Sequence, residues 1–207
     1  LNAAPSGNTG LQRVDNNANV STLWDAGETL AATAWNQRTV YGAYAAASDG
    51  DNAADDRLEL SSAELSSPST NPSLQTLMGL NDSEKHDVLQ FVLGDRGDPS
   101  GWKLYHIDHS TPTFVGAPQG DPYYLGNDYE TFQSNNANRT PVVYVGANDG
   151  MLHAFEAATG EEMWAFVPHN LLSKLKIQRR FDESGDEDYV HSFFIDGPLV
   201  LEDVHDG

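Results

Sequence analysis

The sequence predicts an all-β fold with short helical insertions, forming part of a β-propeller. Residues 142–168 read as three short strands separated by two tight turns. Residues 148–150 are Asn-Asp-Gly and residues 158–160 are Ala-Thr-Gly, which supply the positive φ that hairpin turns require. A propeller is favoured over a sandwich because this unit of strands and turns is self-contained within about 25 residues. A blade repeat of roughly 40 to 45 residues is then expected.

The other predicted strands lie on both sides of this unit. β-branched and aromatic residues, bounded by Gly, Pro and polar clusters, indicate each of them. They cover residues 38–44, 57–60, 110–116 and 191–200, the last interrupted by Asp-Gly-Pro. Residues 121–138 are predicted to form a long connection with several aromatic side chains. The succession of hairpins predicts an antiparallel sheet.

Capping residues mark the predicted helices. A short helix is expected within residues 23–34. Asn71 precedes a proline, a pair typical of the cap and the first position of a helix. Asn81 and Glu84 form a capping-box pattern before an apolar stripe, and Gly94 can end that helix in the left-handed region.

Length and chain ends bear on the domain organisation. A chain of 207 residues fits one or two domains, and we expect residues 1–207 to belong to a single propeller domain. Residues 23–103 are expected to form a strand with a helical insertion, and residues 104–207 consecutive blades. The sequence starts without Met and stops soon after an apolar run, so we expect a fragment of a larger protein.

Composition excludes several classes of function. The chain has 11 basic and 31 acidic residues, and its net charge of −20 repels nucleic acid and anionic membranes. No apolar run reaches the ~18 to 20 residues needed to span a membrane. The absence of cysteine excludes disulfides, thiol catalysis and Cys-ligated zinc within this chain. We therefore expect neither a nucleic-acid partner nor a membrane span.

Three blocks of sequence carry a resemblance to a known family. Residues 142–168, with Asn-Asp-Gly, Leu-His-Ala-Phe, Thr-Gly and Trp in order, resemble blades of quinoprotein-type propellers. Residues 106–118 (His-Ile-Asp-His-Ser-Thr-Pro-Thr-Phe-Val-Gly-Ala-Pro) and residues 191–198 (His-Ser-Phe-Phe-Ile-Asp-Gly-Pro) flank them. In this order the three blocks resemble the C-terminal propeller of the PilC/PilY family. Residues 88–98 look like the helix that precedes the blocks, and the resemblance extends over residues 20–207.

The resemblance implies a function at the bacterial surface. PilC/PilY proteins are type IV pilus biogenesis factors and tip adhesins, so it implies a non-enzymatic adhesin that regulates pilus assembly and retraction. Its propeller would be a protein-interaction scaffold. The implied partners are minor pilins at the pilus tip and a host or abiotic surface. The implied location is the pilus tip or outer-membrane surface, reached through the periplasm. Calcium is implied only for an Asp-rich loop later in the propeller, which this sequence does not reach.

An acidic loop is the best calcium candidate within the chain. Asp49, Asp51 and Asp55 would take positions one, three and seven of an EF-hand-like loop, since calcium needs several oxygen ligands from one flexible segment. Ala53 fails at position five, and position twelve carries no Glu. A solvated acidic loop is the alternative.

The tripeptide Arg96-Gly97-Asp98 matches a known integrin-binding sequence. Three residues recur often by chance, and here they overlap the exit of a predicted helix. The two readings are adhesion through this tripeptide and a plain turn.

Histidines and aromatic residues invite further site hypotheses. His106 and His109 are three residues apart in an extended segment, which points them to opposite faces and makes shared zinc ligation awkward. His153 is expected to pack or hydrogen-bond within the blade. Phe155 and Trp164 are expected to pack between blades rather than to form a ligand platform.

Two other functions compete with the adhesin. A quinone-dependent periplasmic dehydrogenase shares the blade motif, but such enzymes display a vicinal Cys pair over the cofactor and this chain has no cysteine. The sequence also lacks a nucleophile elbow and a phosphate-binding loop. An outer-membrane assembly scaffold uses the same propeller but lacks the His-Ser-Thr-Pro block.

Overall fold

A computed structural model describes residues 23–43, 57–60, 72–97, 99–121, 127–178, 180–181, 187–188, 193–195 and 197–203. The strands are β1 (Val40–Ala43), β2 (Arg57–Glu59), β3 (Thr113–Val115), β4 (Val142–Gly146), β5 (Leu152–Glu156), β6 (Glu162–Val167), β7 (Arg180–Phe181) and β8 (Glu187–Asp188). The α-helices are α1 (Ala26–Ala32), α2 (Pro72–Met78), α3 (Asp82–Leu93), α4 (Asn127–Asn135) and α5 (His169–Leu172), with 3₁₀ turns at Trp35–Gln37 and Leu175–Ile177.

Strands β3 to β6 form the predicted blade. Six strands make one sheet in the order β2-β1-β6-β5-β4-β3, and β7 pairs with β8 separately. The pairs β3–β4, β4–β5 and β5–β6 are antiparallel. Gly150 and Gly160 have φ values of 86° and 73° in the two turns, the left-handed region that favours glycine. The predicted succession of three strands and two turns, and the all-β fold with short helices of a partial propeller, are confirmed.

Strand β1 departs from the predicted antiparallel sheet. It pairs with β6 in parallel, with Val40 opposite Ala165, and β2 then pairs antiparallel to β1. A parallel pair cannot be joined by a tight turn, so it leaves no local signal of the kind that marks a hairpin. The expectation of a wholly antiparallel sheet was therefore wrong at this edge.

The caps of the helices follow the sequence. Asn81 and Glu84 form both halves of the capping box at the start of α3. Gly94 ends α3 with φ of 112°. The Asp25 carboxylate accepts hydrogen bonds from the amides of Gly27 and Glu28 at the start of α1. These bonds satisfy amide groups that the helix itself leaves unpaired.

Two hydrophobic cores hold the sheet and helices together. The larger one joins β1 and β6 to α2, α3 and α5, and the smaller one joins α1 to β4 and β5. The larger core comprises Val40, Leu60, Leu74, Met78, Val88, Leu89, Val92, Leu93, Met151, Ala165, Val167, Leu171, Leu172 and Leu175. The smaller comprises Leu30, Leu104, Val145, Ala147 and Phe155.

Two predicted elements differ from the structure. Helix α4 lies where a long connection was expected, and buried Tyr129 and half-buried Phe132 share one of its faces with their rings 5.6 Å apart. An i, i+3 aromatic pair is a helical signal that the polar composition of the segment conceals. The strand expected at residues 191–200 is not formed at residues 193–195 or 197–200. Its β-forming residues contribute to no sheet among the described residues.

Replacing Gly160 with alanine is expected to lower the free energy of unfolding by about 2 to 3 kcal/mol. A Cβ there would lie 2.6 Å from the ring of Trp24, which donates a hydrogen bond to the Ala157 carbonyl, and the φ of 73° is itself unfavourable. Chemical denaturation measures the change. Gly97→Ala is the matched control, because Gly97 has φ of 69° but no atom within 4 Å of the added Cβ. An equal loss in both variants would contradict the role of Trp24.

Candidate functional site

Four ionisable side chains from distant parts of the sequence meet inside the blade. We call Arg38, Glu162, His153 and Asp149 the buried charge chain. Arg38 precedes β1, Asp149 lies in the β4–β5 turn, His153 is in β5 and Glu162 begins β6. Their side chains are at most 2% exposed. His153 and Glu162 lie on one face, because His153 and Phe155 are two residues apart in β5 and Phe155 lies opposite Glu162, across a register shift between Ala154 and Phe155.

Arg38 and Glu162 form a two-point ion pair. The Arg38 Nε and Nη2 atoms each donate to one Glu162 carboxylate oxygen at 2.8 Å. The remaining Nη1 donates to the Leu93 carbonyl at the end of α3, at 3.0 Å. Parallel N–H···O bonds of this kind are charge-assisted and fix the orientation of both groups. The pair therefore connects α3 and the segment before β1 to β6 of the blade.

His153 lies between two carboxylates. Its Nδ1 is 2.8 Å from Glu162 Oε1, and its Nε2 is 3.0 Å from Asp149 Oδ2. The ring stacks on Phe155 with centroids 5.6 Å apart and planes 7° from parallel. The Asp149 carboxylate also accepts the Met151 amide at 3.0 Å. The expectation that His153 packs or hydrogen-bonds within the blade is confirmed, and it does both.

The two carboxylates make His153 a cation at neutral pH. Burial alone would lower the pKa of His153, but Asp149 and Glu162 outweigh it and raise the pKa from 6.5 to about 9. Burial would likewise raise the pKa of Glu162, but the bonds from His153 and Arg38 lower it from 4.5 to about 2. Both ring nitrogens of His153 then donate. The buried charge chain thus contains two cations and two anions, and its four side chains carry no net charge.

Lys103 lies close to the buried charge chain. It is 4% exposed, and its Nζ donates to the carbonyls of Ala31, near the end of α1, and Gly101. Burial, together with the nearby charges of Arg38 and Arg96, lowers the pKa of Lys103, which Glu162 partly offsets. Carbonyls at the end of a helix favour a cation.

The geometry of the buried charge chain favours a structural role over a reaction centre. A His flanked by a carboxylate occurs in acid–base catalysis, but there the reacting atom must lie within hydrogen-bond reach of the base. In the buried charge chain both ring nitrogens are already bonded and the ring is inaccessible to a substrate. Removing one charge would leave its partner uncompensated in the interior, which is the main energetic consequence of such a chain.

Asn148 joins the three resemblance blocks in space. Its side-chain Nδ2 donates to Asp108 Oδ2 at 2.9 Å, and its backbone amide donates to the His106 carbonyl at 3.0 Å. Its Oδ1 accepts the Phe194 amide at 3.3 Å. Blocks 106–118, 142–168 and 191–198 therefore meet at this turn. The Asn-Asp-Gly turn therefore has two structural roles. Asn148 links the three sequence blocks by hydrogen bonds, and Asp149 bonds to His153.

The predicted calcium and adhesion residues are only partly described. Asp49, Asp51 and Asp55 lie outside the described residues, as does Asp98, so these hypotheses stay predictions. Arg96 lies 4.0 Å from the centroid of the Tyr105 ring, and its Nε donates to the Phe91 carbonyl at 3.2 Å. Gly97 is exposed. An adhesive role of Arg96 would thus need its guanidinium to leave the Tyr105 ring.

The other predicted residues occupy distinct places. His106 and His109 are exposed, and the described part of the chain contains no group of three His, Asp or Glu residues able to hold a metal. Phe155 is buried, whereas Trp164 is half-buried with its ring 5.7 Å from that of Tyr144. Arg38 was not predicted as a member of the site, because no sequence pattern reveals that it faces a glutamate 124 residues away.

Comparison with models of protein families shows which family the chain belongs to. Residues 104–207, half of the chain, match the family model described as the PilY1 beta-propeller domain. The chain belongs to the PilY1 family. The matched region contains the blade and all three residues of the charge chain that the blade supplies, whereas Arg38 lies upstream of it. The resemblance read from the three sequence blocks is confirmed.

Curated relatives agree with this family. A type IV pilus biogenesis factor PilY1 homolog of Xylella fastidiosa is 47% identical over 105 residues, which cover 48% of this chain and 8% of that protein. The type IV pilus biogenesis factor PilY1 of Pseudomonas aeruginosa is 37% identical over 120 residues in strain UCBPP-PA14, covering 56% and 9%. In strain PAK the identity is 34% over 139 residues, covering 61% and 12%. The PilY1-family chain thus spans about a tenth of its relatives' length.

Neither solved structures nor the helices of this chain add to the assignment. No solved structure matches the PilY1-family chain. Within the described ranges, every helix is too short or too polar to cross the hydrocarbon core of a bilayer.

Proposed function

We propose that the protein is a type IV pilus biogenesis factor whose propeller serves as a protein-interaction scaffold. The observation that carries this proposal is the match of residues 104–207 to the PilY1 beta-propeller domain. Relatives with 34 to 47% identity are named as type IV pilus biogenesis factors. The fold alone would not support it, since propellers host many unrelated functions.

The finer role that we propose is that of an adhesin at the pilus tip that regulates assembly and retraction. Minor pilins and a host or abiotic surface would be its partners, and it would act outside the cell after export through the periplasm. The strong negative charge supports a role in solvent at an exposed surface, because it keeps a protein soluble.

We also propose that the whole chain belongs to one propeller domain and that it is not an enzyme. Parallel pairing of β1 with β6 and the Arg38–Glu162 pair attach the part before residue 104 to the blade. The buried charge chain is inaccessible to a substrate, and this favours a structural role over the alternative of a quinone-dependent dehydrogenase.

Deleting the gene in the organism that encodes the chain is expected to abolish or strongly reduce surface pili and twitching motility. Electron microscopy and sheared-pilus yield measure the effect, and complementation with the wild-type gene should restore it. Unchanged pilus number and motility would contradict the proposal. Dye-linked dehydrogenase activity of the purified protein after incubation with a quinone cofactor would instead favour the enzyme alternative.

A further inference from the structure

A groove runs beside β3, at the edge of the six-stranded sheet. It has a volume of about 690 Å³, and its two sides are β3 with the residues that follow it and the segment 201–203. Volumes of 300 to 1,000 Å³ are usual for sites that bind ligands. In the described part of the chain β3 pairs with β4 alone, and β3 itself lines the groove. The other side of such an edge strand carries a row of backbone N–H and C=O groups to which a further strand can bond.

Exposed apolar side chains lie in the same groove. Phe114 of β3 is 64% exposed, and Leu201, which also lines the groove, is 45% exposed. Half-buried Tyr144 lines the groove as well, on the other face of the sheet, since it lies opposite Thr113 in the register of β3 and β4. Large apolar side chains that cluster at an exposed sheet edge mark a site of association more often than isolated ones do. An edge strand with neighbouring side-chain pockets is the arrangement by which sheets accept an added strand.

Hydrogen bonds and an ion pair connect the walls of the groove within the protein itself. Asp203 accepts a hydrogen bond from Tyr129 Oη at 2.7 Å and lies 3.6 Å from Arg139 Nη2. Tyr129 Oη also accepts the Gly120 amide at 2.9 Å, and Arg139 donates to the Gly116 carbonyl. A wall that is already ordered lowers the entropic cost of binding.

The charges of the groove select the partner. Arg139 forms an ion pair with Asp203. The exposed carboxylate of Glu202 adds a negative charge at the groove, and the protein as a whole has a net charge of −20. A cationic partner is attracted both over long range and at this position, and an acidic one is repelled.

We propose that this groove binds an extended basic segment of a partner protein, which adds a strand to β3. Its apolar side chains would lie against Phe114 and Leu201, and a Lys or Arg would lie beside Glu202. The inference goes beyond the proposed function, because it concerns binding by the purified protein and holds whatever the pilus assay shows.

Fluorescence anisotropy with a labelled peptide of about nine residues that alternates Lys and Val tests the proposal, at about 0.15 M salt to screen non-specific attraction. The peptide is expected to bind and to slow hydrogen exchange of the amides at residues 113–115. Phe114→Ser and Glu202→Lys are each expected to weaken binding roughly tenfold or more. Phe193→Ser is the matched control, since Phe193 is 61% exposed but lies outside the groove, and it should bind as the wild type does.

Three results would overturn the proposal. One is equal binding of a matched peptide in which Glu replaces Lys. Another is unchanged binding by a Phe114→Ser variant whose melting temperature equals that of the wild type. The third is self-association of the protein in sedimentation that Phe114→Ser abolishes while the Lys-Val peptide does not bind, which would assign the groove to a second copy.

Discussion

Replacing Glu162 with glutamine is expected to lower the free energy of unfolding by about 3 to 5 kcal/mol. Glutamine keeps the size of the side chain but removes the negative charge that faces both Arg38 and His153 at 2.8 Å. Arg38 and His153 then remain buried, and Asp149 is the only carboxylate left in the buried charge chain. Urea denaturation followed by circular dichroism measures the loss, with Glu161→Gln as the matched control because Glu161 is an exposed neighbour.

A double-mutant cycle separates the ion pair from general damage to the core. Arg38→Met removes the partner charge, and combined with Glu162→Gln it leaves His153 and Asp149 as a neutral pair. The double variant is expected to be destabilised by less than the sum of the two single variants, because each single change leaves a charge unpaired. Simple additivity of the two losses would show that the pair contributes no coupling energy.

Stability is expected to fall by about 3 kcal/mol as the pH rises from 6.5 to 9, because of His153. Its pKa in the folded state is raised from 6.5 to about 9, so the stabilisation is complete below 6.5 and is lost as the folded protein releases the proton. Glu162 has the opposite sign. Its pKa is lowered from 4.5 to about 2, so its contribution is complete above 4.5 and disappears as the pH falls toward 2.

The slope of stability between pH 6.5 and 9 assigns this effect to one histidine. His153→Gln is expected to flatten the slope, although it also lowers stability at pH 6. His86→Gln should leave the slope unchanged, since His86 lies on α3 with a side chain 45% exposed. A wild-type protein whose stability stays constant or rises across this range would contradict the assignment.

Local signals predicted the blade well. Hairpin turns need residues that tolerate positive φ, and Gly150 and Gly160 occupy such positions in the structure. The capping box of Asn81 and Glu84 and the termination at Gly94 are likewise set by atoms within one turn of the helix. Each feature depends on neighbours in sequence, and therefore a pattern of a few residues suffices to predict it.

The long-range features were beyond such patterns. Pairing of β1 with β6 joins residues separated by more than a hundred positions, and the charge chain exists only because that pairing brings Arg38 to Glu162. Of its members, His153 alone was expected to be bonded, since it belongs to the recognised motif. The identity of its partners follows from strand register and from the β4–β5 turn, neither of which composition reveals.

The protonation state of His153 at pH 8 is the most direct test of whether the buried charge chain contains two cations and two anions. Nitrogen-15 NMR of the imidazole ring distinguishes a doubly protonated ring from either neutral tautomer. We expect both ring nitrogens of His153 to carry protons at pH 8 and to be protected from exchange with solvent. A neutral His153 ring at that pH would mean that the flanking carboxylates do not hold a cation between them. That result would contradict the charge balance that we assign to the buried charge chain.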